Sequence, residues 1–183
     1  LAWTFYLLAK HPEYIEQIRE EVDRVIGDGP ADMGSLHKLE RTLCVMDEAM
    51  RLYPSFWMID RVSLEDDVIH GIHVPAGTTL SLYIYGLHRN TEGWEDPNRF
   101  DPSRFEKKKR AELSAFAHIP FGGGPRVCIG SNMAVMQILL IMVAIIRKYD
   151  FSLDSQADIG IRPMMILRPD GAIRMNFRPV SSA

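Results

Sequence analysis

Apolar residues at Ile15, Ile18, Val22 and Val25 recur every three or four positions, with Glu13, Glu16, Arg19, Glu20 and Asp23 between them. That spacing predicts an amphipathic helix with one buried stripe. Pro12 suits its first position, where an N–H would have no helical partner in any case. Gly27-Asp28-Gly29-Pro30 predicts its end. Leu36, Leu39, Leu43, Met46 and Met50 form a second apolar face, read as one helix that stops before Pro54. From Val68 to Tyr85 the pattern changes to Val, Ile, Thr, Leu and Tyr, which predicts two antiparallel strands around a turn at Pro75-Ala76-Gly77. Thr91 to Ser114, rich in Pro, Asn, Asp and Lys, predicts an irregular surface segment. Ser131 to Ile146 is apolar almost throughout and predicts a buried core helix. Met164–Phe177, with Pro169-Asp170-Gly171 inside it, predicts a hairpin. Leu1 to Ala9 reads as the end of a longer buried helix. Together these elements predict a mainly α fold with a small antiparallel β component, of the α+β class.

Composition narrows the functional classes. The chain has 183 residues, 46% of them hydrophobic, enough for one domain with its own core. Its net charge of −3 argues against a nucleic-acid partner, which normally selects a basic excess. Two cysteines, Cys44 and Cys128, do not make a disulfide framework, and no disulfide partner is expected. No segment reaches the roughly 20 apolar residues of a membrane helix. The nearest, Met133–Ile146, is too short and carries Gln137. The opening residues do not read as a signal peptide. A cytoplasmic or cytoplasm-facing location is the expectation.

The densest chemical information lies in Phe121-Gly-Gly-Gly-Pro-Arg-Val-Cys-Ile-Gly130. It places Cys128 at the tip of a glycine-rich loop immediately before the apolar helix. A helix N-terminus directs free N–H groups and the positive end of its dipole toward the preceding loop, which favours thiolate over thiol. Glycines 122, 123, 124 and 130 let the backbone approach something flat and bulky. Arg126 can pair with a carboxylate on that body. Cys44, between Leu43 and Val45, reads as a small buried hydrophobe. A zinc site needs about four Cys/His ligands at short spacings, which Cys128 lacks; His118 receives no ligand role.

The pattern Phe121-x-x-Gly124-x-Arg126-x-Cys128-x-Gly130 resembles the haem-binding loop of the cytochrome P-450 family. Glu48-x-x-Arg51 resembles that family's Glu/Arg helix motif, and Pro102-Ser103-Arg104-Phe105 its Pro-x-Arg-Phe element. Pro75-Ala76-Gly77-Thr78 and His88-Arg89 fall in register as well. The likeness runs over nearly the whole chain. It implies that residues 1–183 are the C-terminal part of a single haem-thiolate monooxygenase domain, with the proton-delivery residues upstream of Leu1. The implied cofactor is iron protoporphyrin IX (heme b), with Cys128 as the metal ligand. A thiolate there donates electron density to iron and favours O–O cleavage.

Further roles are implied by the same resemblance. Arg61 and Arg126 are candidates for the haem propionates. Phe121, Gly124, Gly130 and Ala134 are candidates for the porphyrin cradle. Glu48, Arg51 and Arg104 are expected to form a buried structural network, with the carboxylate accepting bidentate bonds from both guanidiniums. Phe56, Ile59 and Met165 are substrate-pocket candidates. Trp57 and Met58 depart from the small residues relatives often carry, and Gln137 from a frequent glutamate. The implied partners are O₂, a small apolar organic substrate and an electron-donor protein, either a flavoprotein or a ferredoxin. The basic run Glu106-Lys107-Lys108-Lys109-Arg110 reads either as a solvated face or as a docking patch for an acidic donor. A peroxygenase or isomerase on the same scaffold, or a remnant that binds no haem, are the alternatives.

Overall fold

The computed structural model describes residues 1–155 and 158–180. The amphipathic pattern after Pro12 forms α2 (Glu13–Val25), which buries Ile15, Ile18 and Val22. It packs against α4 (Glu40–Leu52) and α7 (Ser131–Ile146), while α1 (Ala2–Lys10) packs against α4 in the same core. In α1 every residue from Trp3 to Leu8 is buried, so the helix is enclosed on all sides. Trp3 stacks on Tyr53 at 3.9 Å between ring centroids, which ties α1 to the end of α4.

The second apolar face is divided between two helices. Asp32 and Ser35 form a reciprocal capping box on the one-turn α3 (Met33–Leu36). α4 begins separately, because Glu21 on α2 takes over its first free donors. One Glu21 oxygen accepts from the Arg41 N–H at 2.7 Å; the other accepts from the Thr42 N–H at 2.9 Å. A cap from a distant element sets this boundary, and hydrophobic spacing alone does not encode it.

Among the described residues, four short antiparallel pairs flank the helices. β1 (Ile59–Val62) pairs with β4 (Thr79–Leu82), and β2 (Asp67–Ile69) with β3 (Ile72–Val74). The hairpin turn therefore lies at His70-Gly71, both at positive φ, and Pro75-Ala76-Gly77 joins β3 to β4. At the C-terminal end β5 (Tyr149–Leu153) pairs with β8 (Met175–Pro179), while β6 (Ile161–Pro163) pairs with β7 (Leu167–Pro169). The Met164–Phe177 segment is thus not a hairpin: its two strands choose different partners. Between the β regions come α5 (Ile84–Leu87), a 3-10 turn at Pro102–Phe105, and α6 (Lys107–Glu112). The lysine run is helical although it has no apolar period, because its charges stay in solvent. The α+β class stands.

α7 begins and ends where its pattern predicts, but it is less buried than expected. Leu139, Met142, Val143 and Ile146 enter the core, whereas Met133, Leu140 and Ile141 remain exposed. No helix among the described residues is long and apolar enough to cross a membrane.

Candidate functional site

Two chemically distinct centres adjoin each other. The first is the ion pair on α4. Glu48 and Arg51 are both fully buried, at 0% exposure. Arg51 Nε donates to Glu48 Oε2 at 2.6 Å and Nη2 to Oε1 at 2.8 Å, a bidentate fork. Its remaining donors reach the carbonyls of His88, Pro97 and Arg99 at 2.7, 2.7 and 3.2 Å. The Asp101 N–H donates to Glu48 Oε1 at 2.9 Å. Burial outweighs these partners and holds the Glu48 carboxyl above its ordinary value. Arg104 is nearby but differs from the sequence expectation. Its Nε stands 3.6 Å from Glu48 Oε1, an ion pair without a hydrogen bond, while its Nη2 donates to the Asp96 carbonyl at 3.1 Å. Only one guanidinium is bidentate, because Asp101 already occupies the shared oxygen.

His88 and Arg89 close the C-terminal end of α4, where backbone carbonyls lack helical partners. His88 Nδ1 lies 3.2 Å from the Arg51 carbonyl, and Arg89 Nη2 donates to the Leu52 carbonyl at 2.6 Å. Sequence reasoning set this dipeptide in register without giving it a role. A lone His-Arg pair has no spacing signature, and only the folded chain shows what it touches.

The second centre is the cysteine loop. Ile119 C=O accepts from the Gly122 N–H at 3.0 Å, and Phe121 C=O accepts from the Cys128 N–H at 3.0 Å. Gly122 and Gly124 have φ of 77° and 71°, the left-handed region that side chains resist. A Cβ at Gly124 would meet nothing within 4 Å, so conformation rather than crowding selects glycine there. Cys128 is exposed and free. Gly130 caps α7, whose first-turn Ala134 N–H donates to the Gly130 carbonyl at 2.9 Å. A Cβ on Gly130 would lie 4.0 Å from the Cys128 Sγ. Arg126 has no hydrogen-bond or ionic partner among the described residues, and Ile129 is fully exposed. Phe121 is half-buried.

β1 runs beside this loop. A Cβ on Gly122 would lie 3.6 Å from Ile59 Cδ1, so Ile59 faces the loop. Arg61, two residues on, shares that strand face; it is exposed, and its Nη1 donates only to the neighbouring Asp60 carbonyl at 2.8 Å. The pocket segments also meet. The Leu167 N–H donates to Ser55 C=O at 2.8 Å, and Trp57 Nε1 to Met164 C=O at 2.7 Å. Phe56 and Met165 project from that junction into solvent, Met165 from the β6–β7 turn. Cys44 is buried, and burial pushes its thiol up to about 11, which makes it inert. His118 is pushed down to about 2, first by burial, and its ring lies tilted at 57° against Phe105, 4.6 Å between centroids.

No three His, Cys, Asp or Glu side chains converge among the described residues in a way that would hold a bare metal ion. A lone exposed cysteine can complete only a metal whose other ligands arrive with it. The comparisons with known proteins agree with this donor set. The family model for Cytochrome P450 matches residues 1–177.

The chain belongs to the cytochrome P450 family.

It is 37% identical over 183 residues to Cytochrome P450 4c3 of Drosophila melanogaster, covering 98% of this chain and 34% of the relative. Cytochrome P450 3A18 of Rattus norvegicus is 32% identical, with 94% and 35% covered. Cytochrome P450 734A5 of Oryza sativa subsp. japonica is 37% identical, with 100% and 35% covered. The chain thus spans about a third of the length of these relatives. For this P450 chain the implied haem fits the residues present: an exposed thiol, an uncrowded glycine face beside it, and an unpartnered arginine two positions away.

Proposed function

We propose that this chain is the C-terminal, haem-thiolate part of a cytochrome P450-type monooxygenase whose remaining sequence lies upstream. The observation that carries the reading is the exposed, uncommitted thiol of Cys128, presented by a loop braced by backbone hydrogen bonds from Gly122, Val127 and Cys128 to the carbonyls of Ile119, Gly124 and Phe121. The haem, when bound, supplies the oxygen-activating chemistry that inserts one atom of O₂ into a small apolar organic substrate. The chain's own residues hold and shape the site. Cys128 would provide the axial sulfur. Arg126 and Arg61 would neutralise the propionates. Phe121, Gly124, Gly130 and Ala134 would border the ring. Phe56, Ile59 and Met165 would contribute apolar surface to substrate.

Electrons would arrive from a flavoprotein or ferredoxin. The α6 cations support that docking in part: Arg110 is committed to Asp47 and Lys109 to Ser103, which leaves Lys107 and Lys108 unpaired among the described residues. Near-equal identity to three differently numbered relatives supports assignment at the family level, with substrate class left to experiment.

The test uses the full-length protein made in haem-replete cells. After reduction and exposure to carbon monoxide it should show the thiolate-type Soret band, and Cys128→Ala should abolish that band. A colourless wild-type protein would overturn the reading in favour of a remnant that binds no haem.

A further inference from the structure

His88 is fully buried, at 0% exposure, and both its ring nitrogens are committed. The Ile119 N–H donates to Nε2 at 2.9 Å. A backbone N–H can only donate, so Nε2 must present its lone pair. Nδ1 faces the Arg51 carbonyl at 3.2 Å, and a carbonyl can only accept, so Nδ1 must carry the proton. The partners therefore select one neutral tautomer. The backbone of His88 is committed as well, since its carbonyl accepts from Arg51 Nη1 at 2.7 Å. Arg51 and His88 thus satisfy each other in both directions, and the ring's remaining nitrogen reaches across to the other centre.

Ile119 is where the cysteine loop begins. Its N–H is held by His88, and its C=O receives the Gly122 N–H. The next loop carbonyl in this ladder, that of Phe121, receives the Cys128 N–H. The exit from the loop is held by α7. At the entry the imidazole holds the Ile119 N–H to the buried ion-pair centre, and the adjacent His118 ring packs 5.2 Å from it and leans on the Asp47 backbone of α4. Further along this limb, Ile59 beside Gly122 and Phe116 beside Gly123 are apolar and set distance without direction.

We propose that His88 is a positioning residue for the cysteine loop: it transmits the fixed geometry of the Glu48–Arg51 pair to Ile119 and so sets where Cys128 presents its sulfur. The tether itself follows from the hydrogen bonds above. Its consequence for a bound iron rests on the cofactor reading.

Two variants separate this role from a general contribution to stability. In His88→Asn the shorter amide retains a donor toward Arg51 but falls short of Ile119. In His88→Gln the amide nitrogen and oxygen are spaced like the two ring nitrogens, so both bonds can form. The full-length protein is used, and two readouts are taken. Hydrogen exchange at the amides of Ile119, Gly122 and Cys128 should quicken about tenfold in His88→Asn, the population change that losing one such bond produces. In the haem-loaded protein, the reduced carbon-monoxide spectrum of His88→Asn should lose part of its thiolate-type band. His88→Gln should restore both toward wild type. Unchanged exchange and spectrum in His88→Asn would overturn the proposal. So would equal loss of cooperative unfolding in both variants, which would make His88 a general stability residue. A wild-type protein without a thiolate band would sink the cofactor reading, and the exchange measurement would still decide the tether.

Discussion

The Glu48–Arg51 centre and the Cys128 loop lie on opposite sides of His88 and use polar groups in opposite ways. At the first, two fully buried charges meet in a fork, and the spare guanidinium donors are absorbed by three backbone carbonyls. At the second, backbone hydrogen bonds brace the loop while Cys128 and Arg126 have no polar partner among the described residues. The first centre has nothing left to bind. The second leaves a thiol and a guanidinium uncommitted among the described residues. A buried charge pair is costly to assemble and more costly to break, which makes it a rigid reference point. An exposed thiol contributes little to stability and can be devoted to a ligand.

Three measurements would break or sharpen that contrast. The largest effect belongs to Glu48→Gln, which leaves Arg51 buried without its counter-charge. It should cost about 3–5 kcal/mol in denaturant unfolding of the full-length protein and abolish haem incorporation. A loss near zero with normal haem content would place the pair among ordinary surface ion pairs.

The next effect is acid sensitivity. Burial, the largest cause, pushes His88 down to about 4 from an ordinary 6.5. Arg51, Arg89 and His118 face it, and both arginines press in the same direction. A depressed folded-state value means that the unfolded chain binds the proton first as pH falls. The His88 contribution is therefore complete above about pH 6.5 and is lost progressively toward pH 4. Full loss is worth about 3 kcal/mol at ~1.4 kcal/mol per unit. The difference in stability between wild type and His88→Gln, followed across that window, isolates it from the carboxylates. A pH-independent difference would show that His88 titrates normally.

The smallest stability effect should come from the most consequential residue. Cys128→Ser should change unfolding free energy by no more than about 0.5 kcal/mol, as exposed substitutions do, in the haem-free protein. The same variant should lose the thiolate-type band entirely. A large destabilisation would mean that the sulfur is a packing element after all.

The bounds of α2 and α7 were legible in the chain because each is set locally, by apolar spacing and by the Pro or Gly at its ends. The cysteine loop was legible for a similar reason. Left-handed glycines, a cysteine and a helix start within ten positions are a local arrangement. Glu48 and Arg51 were legible as neighbours, because residues three apart share a helix face. Their burial was not, since the same spacing occurs on any solvated helix.

Tertiary structure decided what depends on distant partners. β4 pairs with β1 rather than β3, and β8 with β5 rather than β7, because strand choice follows which edges the fold brings together. α3 and α4 separate because Glu21 reaches across from another helix. The second acceptor site on Glu48 Oε1 goes to the Asp101 N–H rather than to Arg104. His88 acquires its meaning only once residues 51 and 119 stand on either side of its ring. Local chemistry written in the chain thus determined the helices and the thiol. Non-local hydrogen bonds, which carry no sequence period, determined how that thiol is held.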